Sequence, residues 1–214
     1  MSTPLRRIGL LTTGRHDWGY LLPVARAVEA HPMLRPIVFV TGSHLHPAYG
    51  ATASAVRGAG LETVDVPLFA DTGSDAPPPI TPADLAVLAR ELAPALDSHP
   101  VDVMIVLGDR IETLMAAVVT VASQVFLAHI HGGDRAPGEF DDANRHAITK
   151  LAHVHFPATR TAAERIARMG EEEGRICMVG SPGIDSILNE PPVTDAELAE
   201  VVEPIGEPYV VILQ

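Results

Sequence analysis

The chain has 214 residues, 47% hydrophobic and 20% charged, with a formal net charge of −12. That composition suits a globular fold of about one large domain and excludes a disordered chain. The acidic balance argues against a nucleic-acid partner, because such binding neutralises phosphates with clustered cations. A single cysteine, Cys177, is too few for an intramolecular disulfide or a Cys-based zinc site.

Aromatic residues make up only 4% of the chain, so the core must be aliphatic. The apolar run Ile8 to Leu11 is too short for a secretory signal core. The longer stretch from Met115 to Ile130 is interrupted by Thr120, Ser123 and Gln124 and falls short of a membrane span. The expectation is a cytoplasmic protein with no membrane partner.

Arg7 to Thr13 reads as a strand covered on both faces, followed by a turn from Gly14 to Gly19 and a helix from about Tyr20 to Ala30 with Pro23 in its first turn. Arg35 to Thr41 is a second strand, a small-residue helix runs up to Gly58, and Leu61 to Val66 is a third strand. Residues 67–80 form a loop too short to separate two cores. Thr81-Pro82-Ala83-Asp84 starts a helix that reaches about Ser98. Further strands are expected at Val101 to Leu107, Val125 to Ile130, Val154 to Pro157 and Arg175 to Val179. Thr159 or Thr161 caps the helix that ends near Met169. The alternation predicts an α/β fold, a doubly wound parallel sheet. After residue 203 come a Pro/Glu-rich linker, preceded by a short helix over Thr194 to Val202, and then a strand-like run, Tyr209 to Gln214; the domain is therefore placed at residues 1–203, with 204–214 opening a second one.

Polar residues follow the strands: Arg15, then Ser43 and His44, then Asp109 and Arg110, then His131 and Asp134, and finally Ser181 in Gly180 to Gly183. In a parallel sheet these share one rim, where ligands bind. Asp109 suits either a helix cap or a base beside a helix N-terminus. Arg110 and Glu112 suit an intrahelical pair. Asp141 and Asp142 favour a helix start, yet with Arg145 and His146 one turn on they also suit paired acids with divergent roles. Lys150 reads as solvated. His129 with His131, and His153 with His155, have the i, i+2 spacing of half a zinc site, but no helical His-Glu-x-x-His accompanies them, so hydrogen bonding to a diphosphate or a loop is the preferred reading and no metal is expected. The dinucleotide spacing Gly-x-Gly-x-x-Gly is absent after the first strand.

At Thr13-Gly14-Arg15, Val40 to Leu45, Leu107 to Glu112, Ala128 to Asp134, Asp141 to Leu151 and Val179 to Asp185, the chain resembles the UDP-N-acetylglucosamine 2-epimerase family. The likeness is specifically to its hydrolysing branch, which serves sialic acid and related nonulosonate synthesis. The resemblance implies a Rossmann-like domain that is the N-terminal half of a GT-B fold, with no cofactor. It implies anti elimination of UDP to a 2-acetamidoglucal, then hydration with inversion at C2. Asp109 and Asp141 fall at catalytic acid positions and would supply the base and the charge stabilisation. His131 stands where several members carry a third acid, with Asp134 three residues on. Arg15 would face the phosphates, with Ser43, His44, Arg110, Asp142, Arg145, His146, His153 and Ser181 completing the substrate-facing set. The other half of the protein would come from a homo-oligomer or a separate C-terminal domain. The alternatives are a non-catalytic split half, a GT-B glycosyltransferase and a metal-dependent hydrolase.

Overall fold

Strand-length apolar runs and amphipathic helices alternate along the chain, and the computed structural model, which describes residues 5–70, 79–136, 140–189, 191 and 193–201, assembles them into one sheet. Its strands are β1 (Arg6–Thr12), β2 (Leu34–Val40), β3 (Thr63–Asp65), β4 (Val103–Leu107), β5 (Phe126–Ile130) and β6 (Val154–Phe156). They lie in the order β3-β2-β1-β4-β5-β6, with every adjacent pair parallel. The order reverses between β1 and β4, which opens a crevice beyond their carboxyl ends.

The helices are α1 (Arg15–Ala30), α2 (Ala53–Arg57), α3 (Pro82–Ser98), α4 (Ile111–Ala122), α5 (Asp141–Leu151), α6 (Arg160–Arg168), α7 (Pro182–Asn189) and α8 (Asp195–Val201). Successive strand residues face opposite ways, so each strand feeds two cores. Leu10, Val38, Ile105 and Ala128 pack with α1 and α2 on one face. Leu11, Phe39, Met104, Val106 and Leu127 pack under α3, α4 and α5 on the other. This double burial is why the strands read as unbroken apolar runs.

The cap of α3 forms as expected. Thr81 accepts from the Asp84 N–H at 3.3 Å, and the Asp84 carboxylate accepts from the N–H groups of Thr81 and Ala70 at 2.8 Å each. At α6 the choice falls on Thr159, which accepts from Ala162 N–H at 3.2 Å.

Two expectations are corrected. Gly14 to Gly19 is not a turn: α1 starts at Arg15, and the buried Asp17 carboxylate ties it down by accepting from Thr13 N–H at 2.7 Å and from the Thr12 and Thr13 hydroxyls at 2.5 and 2.8 Å. Pro23 therefore lies inside the helix, where it has no N–H for the carbonyl four residues back. That carbonyl, on Gly19, accepts instead from the Ser186 hydroxyl of α7 at 2.6 Å. Arg175 to Val179 is not a full strand. It runs beside the three-residue β6 with one bridge, Ile176 to His155, and two further backbone bonds, and most of its side chains are exposed. The acidic loop over 71–78 and the expected strand at Tyr209 to Gln214, with the linker before it, lie outside the described residues.

Candidate active site

The rim is built upward from the end of β4. Gly108 turns the chain with φ 83°, and the buried ring of His129 on β5 holds that turn by donating from Nε2 to the Gly108 carbonyl at 2.7 Å, while Nδ1 accepts from Thr149 at 3.1 Å. Burial pushes the His129 pKa down to about 4, so the ring is neutral at physiological pH. Asp109 follows the turn. It is not the cap of α4, since Arg110 occupies that position, so its carboxylate is available to the rim.

Arg145, from the second turn of α5, ion-pairs with Asp109 through Nη2 and donates from Nη1 to the His131 carbonyl at 3.0 Å. The guanidinium is 10% exposed and burial lowers its pKa, but it keeps its charge. It thus locks the ends of β4 and β5 to α5.

Asp109 and Asp141 line one cavity of about 650 Å³ together with Arg110, Glu112, Asn144 and Tyr49. Asp141 opens α5 and has no hydrogen bond or ion pair among the described residues. Arg110, at the cap of α4, pairs with Glu112 in its first turn, and the second Glu112 oxygen is buried without a partner among the described residues. A neighbouring cavity of about 370 Å³ is lined by Arg15, His16, Ser43, Thr52 and again Tyr49, so the two cavities share the Tyr49 side. Burial lowers the His16 pKa.

His131 leaves β5 in the left-handed region, φ 62°. Its Nδ1 is 2.8 Å from Asp134, its Nε2 is 3.1 Å from the Ser181 hydroxyl, and Tyr20 packs edge-on with ring centroids 5.8 Å apart. His131 and Asp134, the two candidates for the third acid's place, are thus hydrogen-bonded to one another.

Several expected substrate-facing residues serve other ends. His44 is buried, with its ring nitrogens 2.9 Å from Thr12 and 2.7 Å from Thr52, so it braces the wall behind Ser43. Asp142 accepts from Ala136 N–H at 2.7 Å and fixes the loop before α5. His146 has a buried Nε2 without a partner among the described residues and, like His131, Asp134 and Ser181, lines neither rim cavity. His153 is not on the rim at all. It precedes β6, and its Nδ1 accepts from Leu127 N–H at the start of β5, on the opposite edge of the sheet. The His-x-His pairs are split likewise: His129 and His155 are buried within strands, while His131 and His153 sit at opposite sheet ends. Lys150 is half-exposed and pairs with Glu171.

Sequence reasoning missed His16, Tyr49 and Asn144 as cavity residues. His16 was hidden by reading the start of α1 as a turn. Tyr49, one of only three tyrosines, and Asn144, inside the acidic helix start, carried faint composition and motif signals.

The six-stranded order and the polar rim at the β1–β4 switch make this an α/β domain of the GT-B type. The family model for UDP-N-acetylglucosamine 2-epimerase matches residues 26–213, and the chain belongs to that family. It is 34% identical over 196 residues to a Legionella pneumophila UDP-N,N'-diacetylbacillosamine 2-epimerase (hydrolyzing), covering 86% of this chain and 48% of the relative. It is 32% identical over 205 residues to a Neisseria meningitidis UDP-N-acetylglucosamine 2-epimerase, covering 96% and 52%. The chain thus spans about half the length of the curated relatives it matches. A solved structure from Neisseria meningitidis, a UDP-GlcNAc 2-epimerase bound to UDP-GlcNAc, superposes with TM-score 0.72 at 16% identity, covering 85% of this chain and 48% of that one. No helix among the described residues is long and apolar enough to cross a membrane.

Proposed function

We propose that this chain is the N-terminal, acid-bearing half of a hydrolysing UDP-N-acetylglucosamine 2-epimerase that works in the cytoplasm on UDP-N-acetylglucosamine or a 2,4-diacetamido relative. The observation that carries the reading is the shared cavity of Asp109 and Asp141, with Asp109 clamped by Arg145, and with Arg15 in the neighbouring cavity. Elimination needs a base for C2–H, negative charge near an oxocarbenium-like C1, and cations for the departing diphosphate. Asp141, without a partner among the described residues, takes the C2 proton as the C1–O bond breaks and UDP leaves. Asp109 is fixed through one oxygen and presents the other toward C1. Arg15 and Arg110 meet the phosphates. Water then bonds to C1 and gives up one proton, and C2 receives a solvent-derived proton on the opposite face, giving a sugar inverted at C2.

The uridine and the rest of the diphosphate fall to a second domain of the complete protein. The chain alone accordingly turns over no substrate and binds UDP more weakly than micromolar, as calorimetry would read. The decisive experiment incubates the complete protein with UDP-N-acetylglucosamine in deuterated water. Release of UDP and of N-acetylmannosamine carrying deuterium at C2 supports the reading; recovery of unlabelled nucleotide sugar, or transfer of the sugar to an acceptor, rejects it.

A further inference from the structure

The Ser181 hydroxyl lies 3.1 Å from Nε2 of His131, and Nδ1 of the same ring lies 2.8 Å from Asp134. An ionised carboxylate only accepts, so Nδ1 of the neutral ring carries the hydrogen, Nε2 keeps its lone pair, and Ser181 donates to it. The three groups come from two elements 50 residues apart in sequence, and both are held firmly. The His131 carbonyl accepts from the guanidinium that also grips Asp109. On the other side, α7 docks on α1. Gly183 lies so close to Tyr20 that a Cβ there would fall 2.6 Å from the ring, and Ser186 fills the carbonyl that Pro23 leaves open. The left-handed backbone of His131, costly for a non-glycine residue, is retained within this frame.

We propose that Asp134, His131 and Ser181 form a proton relay whose outer end, the Ser181 hydroxyl, takes the proton of the water that adds at C1. This rests on the hydrolysing reading above. As the water oxygen bonds to C1 of the cation formed by protonation at C2, one water O–H breaks. Its proton passes to Ser181 Oγ, the serine's own proton passes to His131 Nε2, and the imidazolium rests against Asp134 before returning the proton to solvent. Ser181 touches the reacting water; Asp134 is a positioning residue that sets the tautomer.

The test uses the complete protein, following UDP, glucal and free sugar by NMR, together with the 15N shifts of the His131 ring. With Ser181→Ala, sugar formation should fall by about 10²-fold relative to UDP release, and 2-acetamidoglucal should accumulate. Ser181→Thr, which keeps the hydroxyl, should restore most of the sugar release. Asp134→Asn should move the His131 proton from Nδ1 toward Nε2, a change that loss of packing alone would not produce. Equal loss of UDP and sugar release in Ser181→Ala, unchanged sugar release in that variant, or a wild-type ring protonated at Nε2 would each overturn the relay. A wild-type protein that releases no UDP removes the epimerase reading instead, and the ring tautomer, read without substrate, tells the two failures apart.

Discussion

Arg145 holds Asp109 from across the rim, and the same guanidinium donates to the His131 carbonyl, 3.0 Å away. Side chains 10% and 19% exposed form this pair, so removing one partner leaves a poorly solvated charge. Arg145→Ala should cost about 3 kcal/mol of stability in urea unfolding. Arg145→Lys, one point charge in place of a planar fork, should recover much of that stability but not UDP release, because it cannot span both acceptors.

Asp141 offers the opposite case. With no partner among the described residues, Asp141→Asn should change the unfolding free energy by no more than about 0.5 kcal/mol. Turnover in the complete protein should fall by about 10²-fold or more if this carboxylate moves the C2 proton. Near-normal UDP release would assign the base elsewhere.

Acid should loosen the fold before it reaches the carboxylates. His129 stays neutral in the folded protein down to about pH 4, whereas the unfolded chain takes the proton near its ordinary value. The unfolded state therefore binds more protons in that window, and stability falls as pH drops from about 6.5 toward 4, by up to about 3 kcal/mol. His44 and His155, both pushed down by burial, act in the same direction. Urea midpoints measured between about pH 7 and pH 4.5 should show this decline, and His129→Gln should flatten it. An unchanged slope in that variant would remove the assignment.

The α1–α7 contact predicts a coupled pair of substitutions. Ser186→Ala leaves the Gly19 carbonyl without its donor and should cost about 1 kcal/mol. Pro23→Ala restores a backbone N–H for the same carbonyl. In a double-mutant cycle the Ser186→Ala cost should shrink in the Pro23→Ala background; strict additivity would mean that the hydroxyl does not serve Gly19.

Strand and helix alternation, the cap at Thr81 and the carboxylates after β4 and before α5 were legible in the amino-acid order, because local patterning and capping are short-range. The start of α1 was not, because the Asp17 carboxylate that nucleates it is satisfied by Thr12 and Thr13, on the strand before it. The resemblance placed His153 with the site, but in a parallel sheet a residue before a strand and a residue after one sit at opposite ends. Nor could spacing join Asp134 and His131 to Ser181, since that contact exists only when α7 docks on α1. The residue types that could do chemistry are thus written in the chain, whereas which of them meet depends on long-range packing between elements that are strangers in sequence.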